Sequence, residues 1–311
     1  MEFSHVPVLF DEVMEGLNIR EGLTYVDGTL GGGGHSSGIC ERLNGRGLLI
    51  GIDKDQDALD AASKRLEEYS CEKRFVHSNY SDIKLVLNEQ GIEKIDGALL
   101  DLGVSSFQLD NPERGFSYMH DAKLDMRMNE EDSLTAEDVV NDYSKAELTR
   151  IIKDYGEERW AARIAEFIDK ERKNKRITST FELVDIIKAA MPAAARREGP
   201  HPAKRTFQAI RIEVNDELGH LRRAVDDFVD VLAPGGRLAI ITFHSLEDRI
   251  VKESFAKRLN PCTCPPELPM CVCGKVADIK KVTNKPSVAD AKELERNPRS
   301  RSAKLRIIEK K

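Results

Sequence analysis

The stretch Leu23–Gly38, "LTYVDGTLGGGGHSSG", places a glycine-rich loop directly after an apolar, strand-like run. Glycine has no Cβ and tolerates positive φ, so such a loop lets the backbone approach a ligand closely. A helix predicted over Ser36–Leu43 begins just behind the loop and offers backbone N–H groups to the same ligand. The stretch therefore predicts a ligand-binding turn between a buried strand and a helix.

Strand-like runs at 23–29, 47–53, 73–78 and 95–103 alternate with helix-like segments. This β-α-β pattern predicts a mostly parallel sheet with helices on both faces, and ligands bind such sheets at the carboxyl ends of the strands. The pattern resumes with one helix over 206–232, a strand within 233–245 and a terminal strand over 302–310. The sequence thus indicates an α/β, Rossmann-like fold.

The region between these two parts is polar and turn-rich, then helical from about 135 to 190 without a strand-like run. We interpret 106–205 as an inserted helical domain that recognises the substrate. Residues 1–105 and 206–311 then form the sheet domain.

Composition narrows the class of protein. With 311 residues and 40% hydrophobic content, the chain can bury a substantial core. It has no apolar run of about 18 residues and no signal-peptide layout at its N-terminus, so we expect a cytoplasmic protein without membrane attachment. Residues 1–150 carry 15 Lys and Arg against 30 Asp and Glu, and residues 151–311 carry 33 against 24. This split fits either a polyanionic partner of the second half or ordinary solvated helix faces.

The loop departs from two common nucleotide-binding motifs. Ser36 and Ser37 stand where the dinucleotide fingerprint requires its third glycine, and the Gly-Lys-Ser/Thr of a P-loop is missing. Asp53 ends the second strand about twenty residues downstream, where an acidic side chain accepts hydrogen bonds from an adenosine ribose. The alternative for Asp53 is a helix-initiating Asp. Thr29 replaces the first glycine of the common methyltransferase pattern, so the loop alone leaves its ligand open.

Longer motifs resemble one family. They are "DGTLGGGGHS" (27–36), "GIDKDQDAL" (51–59), "IDGALLDLGVSSFQLD" (95–110), "RGFSYMHDAKLDMRM" (114–128), "YGEERWA" (155–161), "RTFQAIRIEVNDEL" (205–218), "LAPGGRLAIITFHSLEDRIVK" (232–252) and "NPRSRSAKLR" (297–306). Nearly end to end, the chain resembles the bacterial 16S ribosomal RNA (cytosine-N4)-methyltransferase family. The resemblance implies a class I methyltransferase fold, S-adenosylmethionine (SAM) as cofactor, and a decoding-region cytidine of 16S rRNA as substrate.

The resemblance also implies a set of cofactor contacts. These are Gly33, Gly34 and His35 for the methionine end, Asp53 for the ribose, and Tyr80, Asp101 and Gln108. Tyr80 is suited to pack on the adenine face, and Gln108 can donate and accept hydrogen bonds at once. Their alternatives are a core-edge aromatic and a surface amide.

Methyl transfer to cytosine N4 needs an acceptor that orients the amine, because the nitrogen lone pair is delocalised into the ring. Asp101, His244 and Ser245 are the candidate catalytic residues, with the carbonyls of 102–104 as alternatives. His244 is equally a candidate proton acceptor, base contact or structural residue. Positioning is expected to matter more than basicity, since well-oriented reactions gain about 7–11 kcal/mol.

Basic segments at 170–176, 195–205, 252–258 and 297–306 offer Lys and Arg for RNA phosphates. Each segment alone is as consistent with a solvated face. The expected partner is 16S rRNA within the small ribosomal subunit, and the sequence leaves a homodimer open.

Cys262, Cys264, Cys271 and Cys273 form two Cys-x-Cys units across a short Pro-rich loop. Four thiolates suit a tetrahedral Zn²⁺, and reduced thiols in a surface loop are the alternative. Catalysis depends on neither, so no metal ligand is assigned to the candidate active site.

Two other functions stay open on the residues alone. A nicotinamide-dependent dehydrogenase also uses a glycine loop and an acidic residue such as Asp53, although the third glycine is missing. The other is a non-catalytic RNA-binding or ribosome-assembly factor. Such a protein would use only the basic residues of 151–311, and the predicted cofactor contacts would have no role in it.

Overall fold

The computed structural model describes residues 7–197, 199, 201–265, 268, 270 and 272–311. The chain divides into two compact units. We call Met1–Gly103 with Leu218–Lys311 the sheet unit and Val104–Glu217 the helical unit. Within the described ranges, every helix is too short or too polar to cross a membrane.

A seven-stranded sheet runs through the described part of the sheet unit. Its strands are β1 (Thr24–Asp27), β2 (Leu48–Asp53), β3 (Glu72–His77), β4 (Ile95–Asp101), β5 (Leu232–Thr242), β6 (Ile279–Lys281) and β7 (Lys304–Lys310). The spatial order is β3-β2-β1-β4-β5-β7-β6. Neighbours among β1 to β5 pair parallel, and β7 runs antiparallel to β5 and β6. The predicted mostly parallel, Rossmann-like sheet is therefore confirmed.

The helices alternate with these strands and fill the helical unit. In chain order they are α1 (Phe10–Leu17), α2 (Gly34–Leu43), α3 (Gln56–Leu66), α4 (Ile83–Glu89), α5 (Ser106–Asp110), α6 (Ala136–Asp142), α7 (Lys145–Asp154), α8 (Ala161–Glu171), α9 (Thr180–Ala190), α10 (Ala193–Arg197), α11 (Lys204–Val214), α12 (Glu217–Val231), α13 (Ser245–Leu259) and α14 (Ala291–Arg296). Short 3₁₀ turns occur at Tyr80–Asp82, Pro112–Arg114 and Pro298–Ser302.

Helices cover both faces of the sheet, which explains its nearly continuous apolar strands. Successive strand residues point to opposite faces. Leu99 packs in a buried cluster with residues of α1, α2 and α3, whereas Leu100 packs in a second cluster with residues of α4, α12 and α13. Because both faces of the sheet are buried, the residues of β4 do not alternate between polar and apolar.

The helical unit has a core of its own, built from α6, α7, α8, α9 and α11. Capping boxes start three of these helices, at Thr135, Ser144 and Ser179, each with an acidic residue three positions later. Such caps satisfy backbone N–H groups that the first helical turn leaves without an acceptor. The apolar residues of each helix then face the shared core.

The single helix predicted over 206–232 is wrong, because the chain breaks between α11 and α12. Asn215 is buried, accepts a hydrogen bond from the Met128 N–H at 2.8 Å and donates to the Met126 carbonyl at 2.8 Å. Asp216 adopts φ 43°, outside the helical range. Since α11 packs into the helical core, the compact unit extends to Glu217, twelve residues beyond the predicted boundary at 205.

Candidate active site

Three aspartates end three adjacent parallel strands. Asp27 is the last residue of β1, Asp53 of β2 and Asp101 of β4. β1 lies between β2 and β4, so the three carboxylates belong to one edge of the sheet. This is the edge where parallel sheets bind ligands.

The glycine loop is tied to the strands on either side of β1. Gly28 N–H donates to the Leu99 carbonyl at 2.9 Å, and Leu30 N–H donates to the Ile52 carbonyl at 3.0 Å. A Cβ on Gly28 would lie 2.5 Å from Leu100 Cδ2 and 3.2 Å from Tyr80 Cβ. Only glycine fits this close approach, so the loop is held in one conformation.

The loop ends at Gly33, whose φ of 75° turns the chain into α2. A Cβ there would meet the Ala62 backbone at 3.3 Å. Gly33 at the N-cap position has no side chain with which to cap α2. Helix geometry gives the N–H groups of its first turn, which begins at Gly34, no intrahelical acceptor, and they are therefore suited to a carboxylate.

Asp53 holds the loop from the side of β2. Its Oδ2 accepts from Gly31 N–H at 2.8 Å, and its Oδ1 accepts from Asp55 N–H at 2.9 Å. Burial raises the pKa of Asp53 to about 6, against the lowering effect of these two N–H groups. The carboxylate is therefore mostly ionised at neutral pH but costly to keep ionised.

Asp27 is nearly inaccessible to solvent and lies behind the loop. Its carboxylate accepts from the Ser36 hydroxyl at 2.7 Å and from Thr29 N–H at 3.2 Å. Burial raises the pKa of Asp27 to about 6, and Asp53 adds to the rise. Asp27 thus adds a second buried negative charge beside the loop.

The pKa of Asp101 is raised more than those of Asp27 and Asp53. The Asp101 backbone N–H donates to Thr29 Oγ1 at 2.6 Å. The side chain is 26% exposed, yet Oδ1 is buried and has no hydrogen-bond partner among the described residues. Burial, followed by the charges of Asp27 and Glu247, raises the pKa of Asp101 well above its ordinary value. A buried acceptor atom without a donor needs an explanation, and a ligand or an ordered water molecule is one.

His35 faces Asp101 from α2. Its Nε2 lies 2.9 Å from the Val8 carbonyl, which can only accept, so Nε2 carries a proton. Its Nδ1 lies 3.6 Å from Asp101 Oδ2. The ring stacks on Phe10 with centroids 6.2 Å apart. These contacts fix the ring beside the Asp101 carboxyl group.

His244 caps α13. Its side chain accepts from Glu247 N–H at 3.5 Å, and its Nε2 lies 3.1 Å from Glu247 Oε1. The buried Glu247 in turn accepts from the N–H groups of Phe243, at 2.8 Å, and His244. Both His244 ring nitrogens thus lie near Glu247, but Nε2 is buried and makes no hydrogen bond to the described residues, so the three predicted roles of His244 stay open. Ser245 is exposed at the first position of α13.

The remaining predicted contacts lie in different units. Tyr80 starts the 3₁₀ turn after β3 and is partly buried against the core of the sheet unit. Gln108 belongs to the helical unit, where its Oε1 accepts from Ser105 N–H at 3.1 Å. The sheet unit therefore contains all the predicted contacts except this one, namely Gly33, Gly34, His35, Asp53, Tyr80 and Asp101.

Sequence reasoning missed three residues of this edge. Asp27 has the same strand-end position as Asp53 and Asp101, and that position was the available signal. Thr29 supplies a hydroxyl that a glycine at the same position lacks. Glu247 follows His244 by three residues, the spacing of a capping box.

The model of the MraW methylase family matches residues 2–311. The chain belongs to this family. It is 57% identical to ribosomal RNA small subunit methyltransferase H of Ruminiclostridium cellulolyticum over the full length of both chains. It is 56% identical to the protein of that name from Clostridioides difficile, again over both full lengths. The resemblance noted from the sequence motifs is confirmed, and the chain is a methylase.

Proposed function

We propose that this methylase transfers a methyl group from SAM to the N4 amino group of a cytidine in the decoding region of 16S rRNA. Membership of the MraW methylase family and the names of the full-length relatives support this function. The structural observation that carries it is the group of three carboxylates around the glycine loop, of which Asp27 is buried and Asp53 and Asp101 are half-buried. The reaction takes place in the cytoplasm, where ribosomal subunits are made.

The charges at this edge fit a cationic ligand. Burial raises the pKa values of Asp27, Asp53 and Asp101 because the described residues leave their negative charges poorly compensated. A sulfonium and an α-ammonium group, both present in SAM, compensate such charges. The pyrophosphate of a nicotinamide dinucleotide adds negative charge instead, so the same carboxylates disfavour the dehydrogenase alternative.

We assign each predicted contact a role toward SAM. Asp53 at the end of β2 accepts from the ribose hydroxyls, and Tyr80 packs on the adenine. The N–H groups at Gly34 and His35 hold the methionine carboxylate at the start of α2. Gln108 lies in the helical unit, and its contact with SAM stays a prediction.

Asp101 is the residue we assign to the substrate amine. When bound, SAM supplies the methyl group on a positively charged sulfur. That charge lowers the pKa of Asp101 and favours its ionised form. Oδ1 would accept a hydrogen bond from the N4 amine, orient the nitrogen for methyl transfer, and take the proton that N4 loses. His35 keeps the carboxyl group in place through Oδ2.

Several of the basic residues predicted to bind RNA are used within the protein. Acidic side chains pair with Arg172, Arg176, Arg258 and Arg306. These arginines stabilise their own units. Only some of the positive charges in residues 151–311 are therefore available to bind a polyanion.

The basic segment at 195–205 carries exposed Arg and Lys side chains. Arg196, Arg197 and Lys204 are exposed in the helical unit, and no ion pair is recorded for them within the described ranges. We assign them to rRNA phosphates. The double variant Arg196→Gln, Arg197→Gln is expected to weaken subunit binding and reduce the salt slope by about 0.7–0.9 per lost phosphate contact. The paired lysines Lys173 and Lys175 provide the matched double-Gln control.

The proposed function is tested with labelled SAM and small ribosomal subunits from a strain that lacks the modification. The label is expected on N4 of one decoding-region cytidine, identified by nuclease digestion and mass spectrometry. Asp101→Ala should abolish the label. Asp96→Asn serves as the control, because Asp96 lies on the same strand β4 but near its opposite end. Labelling of another atom or nucleotide, or SAM binding without any label in rRNA, contradicts the proposal.

A further inference from the structure

A cluster of thiols lies far along the chain from the glycine loop. The Sγ atoms of Cys262, Cys264 and Cys273 all lie within 4.8 Å of one another. In a tetrahedral zinc site with Zn–S bonds of about 2.3 Å, sulfur atoms are about 3.8 Å apart. The observed cluster thus needs an adjustment of at most about 1 Å to enclose a metal ion.

Burial in a hydrophobic core does not explain this cluster. Cys262 is exposed, and Cys264 and Cys273 are half-buried. The cysteines that pack as apolar side chains, Cys40 and Cys71, are only 2% and 3% exposed. Thiols gathered at a surface from two chain segments therefore need another cause.

The backbone around the thiols is arranged as expected for metal-bound sulfur. Val272 N–H points at Cys264 Sγ with a separation of 3.4 Å, and such a hydrogen bond stabilises a thiolate. Gly274 follows Cys273 with a φ of 65° and open space at its Cβ position, so the chain turns sharply directly after the thiol.

The described part of the segment that carries the thiols is irregular. It connects α13, which ends at Leu259, to β6, which begins at Ile279, and its described residues form neither helix nor strand. Met270 and Val272 are each 77% exposed, so these apolar residues contribute little burial. A long irregular connection with exposed apolar side chains needs a cross-link to hold one conformation.

We propose that Cys262, Cys264 and Cys273 bind a structural Zn²⁺ that orders this segment. Thiolate ligands select zinc over hard cations such as Mg²⁺ and Ca²⁺. The sequence holds one further cysteine in the segment, Cys271, which lies outside the described residues. The ion cross-links the two arms of the segment and takes no part in methyl transfer.

Metal content tests this proposal directly. The full chain, freed of any affinity tag, is purified with a phosphine reductant and without chelator, and zinc and iron are measured by inorganic mass spectrometry. About one Zn²⁺ per chain is expected, and Cys264→Ser should reduce it to near zero. Cys71→Ser is the matched control, because it removes a thiol from the core of the sheet unit, and it should retain the zinc.

A second measurement keeps the proposal testable if Cys264→Ser fails to fold. The wild-type chain is treated with a strong chelator, its helical content is checked by circular dichroism, and it is then digested briefly with a protease. Zinc removal should create a new cleavage site within 261–278, and added Zn²⁺ should suppress it. No zinc after incubation with excess Zn²⁺, iron in its place, or an unchanged cleavage pattern overturns the proposal.

Discussion

Replacing Asp53 by asparagine separates the charge of this residue from its shape. The two carboxylate oxygens accept from Gly31 N–H at 2.8 Å and from Asp55 N–H at 2.9 Å. An asparagine amide keeps one acceptor and replaces the other with a donor. The variant therefore loses one backbone contact and the negative charge, while the side-chain volume is nearly unchanged.

The expected loss of SAM affinity follows from the ribose contact. A hydrogen bond to a charged group contributes about 1.5–3 kcal/mol, which corresponds to a dissociation constant about 10- to 150-fold higher. The free energy of unfolding should not fall in parallel. A pKa raised from 3.8 to about 6 means that ionised Asp53 costs the folded state about 3 kcal/mol. Removing that cost exceeds the loss of one backbone hydrogen bond, about 1 kcal/mol.

The ionisation of Asp53 sets the direction in which stability and SAM affinity change with pH. Because folding raises the pKa of Asp53, the ionised form destabilises the fold, and the cost appears as pH rises from 3.8 through about 6. SAM binding needs the ionised form, so wild-type affinity should fall below pH 6. At pH 5 about nine-tenths of Asp53 is protonated, so the affinity ratio of wild type to Asp53→Asn should shrink about tenfold from its value at pH 7.5.

Isothermal titration calorimetry with SAM from pH 5 to pH 7.5, together with thermal unfolding of both proteins, measures these quantities. Taking the ratio of the two proteins reduces the contribution of Asp27, whose pKa is also about 6, but does not cancel it, because the charge of Asp53 adds to the rise of the Asp27 pKa. A ratio that stays constant across this range refutes the assignment of ionised Asp53 to the ribose. So does a ratio near one at pH 7.5.

Three further substitutions test neighbouring roles. Asp101→Asn should lower the methyl-transfer rate about 10²-fold or more while affinity for the SAM analogue sinefungin changes much less, and an equal loss of both would assign Asp101 to cofactor binding alone. His244→Ala should lower the free energy of unfolding by about 1 kcal/mol, measured with urea, whereas His244→Asn, which can also cap a helix, should restore most of it. If neither change affects stability but both abolish transfer, the histidine is catalytic. Thr29→Val leaves the Asp101 N–H without an acceptor and should cost about 1–3 kcal/mol of stability, with Thr29→Ser as the control that keeps the hydroxyl; equal stabilities of the two variants would contradict this role.

The ends of strands could be predicted where an acidic residue follows a run of apolar residues. Asp53 and Asp101 follow continuous apolar runs, so their place at the carboxyl edge was readable from the sequence. The order of the strands was not, because β1 sits between β2 and β4 through pairings distant in sequence. The helix α1 was also missed, since its buried face packs in a cluster with residues of α2, α3 and the sheet that only folding brings together.

Side-chain partners were the least predictable part of the site. The break at Asn215 depends on backbone atoms of Met126 and Met128, nearly ninety residues earlier. The role of Thr29 depends on the backbone of Asp101, and that of His244 on a carboxylate one helical turn away. A local pattern predicts a strand end or a helix cap. It does not predict which distant group will meet it there.

The interruption of the sheet unit affects how the protein is made. β4 ends at Asp101, and its partner β5 begins at Leu232. At about 5–20 residues per second, a ribosome needs roughly 7–25 s to synthesise the intervening chain. During that time the side of β4 that pairs with β5 has no partner strand, and the helical unit, which ends at Glu217, is completed only near the end of the interval. Newly made chains therefore pass through a stage in which an exposed strand edge must be kept from other chains, so aggregation during synthesis is expected to depend on chaperones that bind nascent chains.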